Sequence, residues 1–243
     1  MQARHMLALA VCGLILGERA ASFAADPPPL PFHGVEGYGG CFGTYSAYLV
    51  NSPEEGTLFG LPSVGGIFVY LNHGRHLTAV TETETIAGRV ELGYGYDRFD
   101  MGDLPDAIEA ATKAKLSVDT VELHNLNARV MVLKEGEFEM KWLPAVTVGA
   151  HFKENSTVDT IDQELGGALS GIGIENSECV DFTLYGSKMI TALPRPVMLN
   201  VGVRATKAAH IGLLGFTDDY SLVAEGSVAT MPTARTVLGL EYR

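Results

Sequence analysis

Apolar and polar residues alternate along most of this chain, and the alternation predicts extended strands. In the segment 89–99, Val90, Leu92, Tyr94 and Tyr96 share one face of an extended chain, while charged residues and glycines occupy the other. Such a strand is typical of a membrane barrel that has lipid outside and a polar lumen inside. A bilayer accepts strands only in a closed sheet, because unpaired backbone groups are costly in lipid.

The same period of two recurs along the chain and predicts an all-β fold. We expect an antiparallel up-and-down transmembrane β-barrel of about ten strands, whose closure the sequence leaves open. The predicted strands cover 34–50, 62–72, 75–84, 89–99, 125–132, 146–153, 180–185, 197–206, 220–230 and 236–242. A soluble β-sandwich also alternates, but the aromatic outer positions and an N-terminal export signal favour the barrel.

One short helix is predicted near 103–115, in a loop or in the barrel mouth. Asp103 is placed as its N-cap and Pro105 in its first turn. The segment 155–176 is predicted to be a long loop.

The N-terminus predicts a signal peptide over residues 1–24. Arg4 and His5 precede an apolar run at 6–16, and the small residues Ser22 and Ala24 suit a signal peptidase. The run is too short to cross a membrane as a helix. Residues 25–243 contain no dividing linker and are predicted to form one barrel domain in the outer membrane.

Composition narrows the function classes. A formal net charge of −12 argues against nucleic acid, whose phosphate backbone requires a basic surface. Mean hydropathy is +0.15, yet no later segment has the roughly 18 consecutive apolar residues of a membrane helix. Cys41 and Cys179 remain after signal cleavage, and they either pair in an oxidising envelope or are small interior residues.

Charged residues recur on the faces opposite the apolar ones and are predicted to line the lumen. A charge aimed at the bilayer midplane would cost roughly 2–4 kcal/mol, so these residues should either line water or pair across the barrel. They are Arg89, Glu91, Asp97, Arg129, Lys153, Asp181, Arg204 and Glu225.

Two further sets of residues carry side chains of the kinds that bind metal ions. Asp159, Asp162 and Glu164 could hold calcium or the cations that bridge lipopolysaccharide, but they match no EF-hand spacing, and a solvated acidic loop is favoured. His73 and His76 lack the further ligands of a metal pair. No metal or cofactor is predicted.

An embedded lipid hydrolase is the least favoured class, and the protein is not expected to be an enzyme. His124 and His151 are candidate bases, and Ser170 and Ser187 are candidate nucleophiles. The sequence around Ser170 lacks the first glycine of a nucleophile elbow.

Several long strings resemble an uncharacterised Gram-negative outer-membrane barrel family labelled domain of unknown function three-zero-three-four. The strings lie at 181–196, 204–210, 213–220, 91–100 and 124–130. The resemblance spans about 31–243 and implies a barrel without established activity or catalytic residues. It also implies strands beyond the position of Arg243. With Leu238, Leu240 and Tyr242 outward, the last strand is expected either to close imperfectly against the strand predicted at 34–50 or to leave a chain that folds poorly.

The leading hypothesis is a porin-like passive channel or a small-solute or lipid-handling envelope protein. The alternative is a closed structural or interaction barrel that binds partners through its outer loops, especially 155–176. Expected partners are outer-membrane lipids, lipopolysaccharide and the barrel assembly machinery, while the sequence does not identify a solute.

Overall fold

The computed structural model describes residues 33–54, 56–233 and 236–243, so the predicted signal peptide lies outside the described residues. Ten strands form one antiparallel sheet. They are β1 (Ser63–Leu71), β2 (Arg75–Ile86), β3 (Val90–Asp100), β4 (Thr120–Leu133), β5 (Ala145–Asn155), β6 (Ile174–Asn176), β7 (Glu178–Ile190), β8 (Val197–Ala208), β9 (Phe216–Thr233) and β10 (Thr236–Tyr242). The predicted all-β, antiparallel fold is confirmed.

Neighbours in the sheet are neighbours in sequence, as in an up-and-down barrel. The order is β1-β2-β3-β4-β5-β7-β8-β9-β10, and the short β6 pairs with β9. Eight antiparallel steps separate β1 from β10, so these two strands run in the same direction. Within the described residues the sheet stays open between them, and a direct pairing would be parallel.

The two ends of the sheet differ in their connections. We call the end that carries the β2–β3 and β7–β8 connections the turn end, and the opposite end, which carries both helices, the loop end. The predicted helix is confirmed as α1 (Leu104–Thr112), with Pro105 in its first turn. Asp103 precedes it but makes no side-chain capping hydrogen bond, which corrects that part of the prediction.

A second helix, α2 (Val158–Glu164), forms within the segment predicted to be a loop. It buries Val158 and Ile161 against the loop end of the sheet, and this packing compensates for its short, polar sequence. Among the described residues, no helix is long and apolar enough to cross a membrane.

Side chains alternate between two faces of the sheet. The outer face is apolar and exposed, with Leu126, Val201 and Leu222 more than half exposed. The inner face is buried and mostly polar. The molecule is therefore apolar outside and polar inside, the reverse of an ordinary soluble domain.

Candidate functional site

The inner face is covered by residues 33–50, which we call the inner segment. This segment was predicted to be a strand, and that prediction is wrong: it contains only the isolated bridges His33–Gly39 and Gly40–Tyr45. The alternating residues of this segment do not separate an inner from an outer face, because most of them are buried whether their position is odd or even. β10 therefore cannot close against a strand here.

Glycines on both surfaces allow the inner segment to approach the sheet closely. Gly37 has φ +75°, and a Cβ added at Gly93 of β3 would lie 2.0 Å from the Gly37 carbonyl oxygen. A Cβ at Gly95 would lie 2.7 Å from the Glu36 carbonyl carbon. The glycines of β3 thus provide the space into which the inner segment packs.

An ion pair between β3 and β4 binds the inner segment at several points. Arg129 Nη2 lies 2.6 Å from Glu91 Oε1, and both side chains are fully buried. The carboxylate accepts hydrogen bonds from the backbone N–H groups of Gly39 (3.0 Å) and Val50 (2.8 Å). Arg129 also donates to the Ser46 carbonyl oxygen at 2.6 Å. Charge-assisted bonds of this kind are stronger than neutral ones, so this pair fixes a loop that has no sheet pairing.

A second cluster of charges surrounds Glu36 of the inner segment. Glu36 pairs with Lys153 and lies 3.0 Å from Arg204 Nη1. The cluster extends to Asp181 and Glu225, and Glu225 also pairs with Arg243. The carboxylates of Glu36, Asp181 and Glu225 are therefore balanced by the positive charges of Lys153, Arg204 and Arg243.

The charge balance keeps Glu36 ionised. Burial opposes ionisation, but the positive charges of Arg204 and Lys153 hold the pKa of Glu36 well below its usual range. Tyr45 donates a 2.6 Å hydrogen bond to the same carboxylate, and its ring lies 4.4 Å from the Arg204 guanidinium carbon. Buried charges satisfied in this way tie the inner segment to several strands at once.

The inner segment is also fixed at the turn end. The Tyr48 hydroxyl donates to Glu135, which pairs with Lys188 at 2.7 Å. Burial and the neighbouring Glu135 raise the pKa of Tyr48. On β10, Glu241 accepts hydrogen bonds from the Gly43 and Thr44 backbone N–H groups.

Seven of the eight predicted lumen charges lie on the inner face. Glu91, Asp97, Arg129, Lys153, Asp181, Arg204 and Glu225 are all buried. Arg89 is the exception: it precedes β3 and pairs with Glu137 at the turn end, 2.5 Å away. Asp97 accepts a 3.0 Å hydrogen bond from Asn125 and does not join the ion pairs.

The sequence did not identify Glu36 as a site residue, because parity in the strand predicted at 34–50 put it on the same face as Tyr38, opposite the glycines. A signal was present, since Glu36 is the only charged residue between His33 and Pro53. An isolated carboxylate in an uncharged, aromatic run indicates a buried partner of opposite sign.

The hydrolase candidates are not arranged as a catalytic pair. Ser187 bonds to Asn200 and to the Ala47 backbone N–H, and Ser170 donates to Asp162. His151 is buried between Asn127 and Thr183, whereas His124 accompanies Tyr94 on the outer face.

The remaining candidates from the sequence are the acidic loop residues, two histidines and two cysteines. Asp162 accepts hydrogen bonds from Ser170 and from the Leu169 backbone N–H, and the Ser170 bond lowers the pKa of Asp162. His73 lies in the β1–β2 turn and His76 in β2. Within the described residues no metal-ligating cluster was found. The two cysteine sulfurs contact different groups, Cys41 near Ser227 and Cys179 near Asp181.

Together these features define an all-β protein of barrel-like architecture with an occupied interior. The chain belongs to the family described as Protein of unknown function (DUF3034), whose model matches residues 70–243. That range covers 174 of the 243 residues, so the predicted family membership is confirmed. No curated protein and no solved structure matches the chain.

Proposed function

We propose that the protein is an outer-membrane β-barrel protein whose interior is closed by its own inner segment, so that it acts as a structural or interaction barrel. The observation that carries this proposal is the occupied inner face, where Glu36, Tyr38 and Tyr45 are buried. A passive channel needs a continuous water path, and the groups expected to line such a path are engaged with the inner segment instead.

The outer face supports the membrane location. Leu222 is 81% exposed and Val201 69% exposed, and soluble monomers rarely present contiguous apolar surfaces of this extent. Tyr94 and Tyr220 are both exposed on this surface, and Tyr220 lies toward the loop end, where an aromatic girdle is expected. Lipid and lipopolysaccharide would then contact the wall, and the barrel assembly machinery would insert it.

The loop end supplies the surface for interactions. It carries α1, α2 and the long β5–β7 connection, whereas the β2–β3 connection at the turn end is only three residues long, 87–89. We assign partner binding to this end because longer loops are characteristic of the outer side of such barrels. No catalytic step is proposed.

Membrane residence is tested by extraction into mild detergent, followed by gel migration with and without boiling. A folded membrane barrel is expected to migrate differently before and after heating. Recovery from the soluble periplasmic fraction with heat-independent migration would reject the membrane location.

Closure is tested by conductance in planar bilayers. The wild-type protein is expected to insert without conductance steps. Removing both charges of the Glu91–Arg129 ion pair in Glu91→Ala/Arg129→Ala releases four contacts to the inner segment without leaving a lone buried charge, so we expect transient conductance steps. The matched control Arg89→Ala/Glu137→Ala removes an ion pair outside the inner face and should stay silent. Stable steps from the wild type would favour the channel instead.

A further inference from the structure

Two glutamates interrupt the apolar outer face of the sheet. Glu82 and Glu84 both lie on β2 with their side chains on the outer side, as their burial pattern shows. Glu82 stands between Val64 of β1 and Tyr94 of β3 in the register, and Glu84 stands opposite Leu92.

A row here is the set of residues that stand opposite one another in register on successive strands. From β3 to β7 the rows of Glu82 and Glu84 contain no charged residue. The row of Glu82 continues through Tyr94, Leu126, Phe152 and Val180. The row of Glu84 continues through Leu92, Ala128, Ala150 and Phe182. If this face meets lipid, as the proposed function holds, the two carboxylates are the charged exceptions in these two rows. Ionisable residues in such positions are costly and usually mark a functional contact.

The described residues offer these carboxylates no counter-charge. Neither Glu82 nor Glu84 makes an ion pair or hydrogen bond there, and one carboxylate oxygen of Glu84 is buried without a partner. The cluster around Glu36 on the inner face, by contrast, sets three carboxylates against three cations. A cationic group from outside the described residues would supply the counter-charge that Glu82 and Glu84 lack.

The glutamates lie one strand away from the open edge of the sheet. Among the described residues β1 pairs only with β2, so its other edge presents backbone N–H and C=O groups that none of those residues pairs in a sheet. Along this edge Val64 is 70% exposed and Phe68 is 64% exposed. Between them, Gly66 has no atom within 4 Å of the position that a Cβ would take, so its outer side is empty space.

We propose that the β1 edge is a docking site for an antiparallel polypeptide strand of a partner, and that this strand carries a lysine or arginine directed at Glu82 and Glu84. Two strand spacings, roughly 10 Å, separate the docked strand from β2. A long basic side chain crosses that distance by laying its apolar stem over Gly66, and its charged group then reaches Glu82.

A second copy of this chain does not fit the site. Its β10 edge would pair in parallel if both copies share one orientation in the membrane, and β10 carries Leu238, Leu240 and Tyr242 outward instead of a cation. Two copies joined through their β1 edges would bring glutamates together. Charge complementarity therefore favours a basic partner strand.

The test uses the full chain folded in detergent micelles and fluorescent nine-residue peptides of alternating valine and threonine. One peptide has arginine in place of its central valine, and its matched partner has glutamate. We expect anisotropy to report at least about tenfold tighter binding of the arginine peptide. The variant Glu82→Gln/Glu84→Gln should bind both peptides alike.

The matched control is Glu154→Gln/Glu178→Gln, which removes two outer-face glutamates that are paired in register far from the β1 edge. It should keep the wild-type preference, and Gly66→Val should reduce it by filling the space over β1. Equal binding of the two peptides to the wild type, no binding of either, or a preference that survives Glu82→Gln/Glu84→Gln would overturn the proposal. A dimer that dissociates in Glu82→Gln/Glu84→Gln would assign the edge to a second copy.

This inference rests on the proposed membrane location, but the two fail separately. Heat-dependent gel migration reports the membrane barrel without any peptide. A protein that shows this migration and has no preference for the arginine peptide retains the proposed function and loses only the docking site.

Discussion

At the scale of single residues, Glu36 connects the inner segment to two strands of the sheet. It joins the inner segment to β5 through Lys153 and to β8 through Arg204. Because these partners come from positions more than a hundred residues away, one carboxylate links distant parts of the chain. Its removal would leave an excess positive charge in a buried site.

Glu36→Gln is therefore expected to lower the free energy of unfolding by about 3–5 kcal/mol at neutral pH. The folded pKa of Glu36 lies below the unfolded value of about 4.3, so its stabilisation is complete above that value and is lost as pH falls through the folded pKa. Denaturant unfolding in micelles over a pH series measures the effect. The gap between variant and wild type should persist at pH 5 and shrink only in stronger acid, and a gap that is the same at every pH would contradict this account.

Gly93 gives a second prediction at this scale, because its missing side chain admits the inner segment. Gly93→Ala places a methyl group against the Gly37 backbone, and such overpacking costs about 1–3 kcal/mol. Gly66→Ala is the control, since that position is open. The same unfolding experiment compares them, and equal stability of the two variants would exclude the close packing of Gly37 on β3.

At the scale of elements, the β4–β5 connection both binds the inner segment and exposes two aromatic side chains. Glu135 holds Tyr48 inside, while Phe138 and Trp142 are 73% and 72% exposed at the turn end. Large aromatic side chains at the end of an apolar wall suit the interface between lipid and water. The connection thus contacts the inner segment through Glu135 and exposes two aromatic side chains, which the proposed membrane location would place at the membrane surface.

Trp142 is the only tryptophan of the chain, so its fluorescence reports this loop alone. On transfer from urea into lipid vesicles we expect a blue shift of its emission and protection from acrylamide. Phe138→Ser should reduce the protection by weakening the anchor. Emission that remains as red and as quenchable as in urea would show that the loop stays in water.

At the scale of the whole molecule, stability should decrease from the centre of the sheet to its edges. β3, β4, β5 and β7 each have two strand neighbours and contact the inner segment through Glu91, Arg129, Lys153 and Ser187. β1 and β10 each have one strand neighbour within the described part of the chain. Local opening is easiest where fewest contacts must break.

Hydrogen exchange of the folded protein is expected to be slowest in the central strands and fastest along β1 and β10. The amides of Gly39 and Val50 should also be protected, because Glu91 accepts their hydrogen bonds. In Glu91→Ala/Arg129→Ala these two amides should exchange much faster, with smaller changes in β4 and β5. Uniform exchange across all strands would argue against a sheet with open edges.

The sequence by itself determined the strands and the two faces, because side-chain direction in a strand depends only on local parity. Val130 outside and Arg129 inside could be assigned without any partner, and α1 followed from Pro105 and its helical spacing. The same local rule failed at 34–50, where parity suggested a strand but burial on every side decided the conformation. Only the tertiary structure set Glu36 among Arg204 and Lys153, engaged Glu91 with Arg129, and left the β1 edge open. These outcomes depend on which distant segments fill the space between strands, and a period of two carries no information about that.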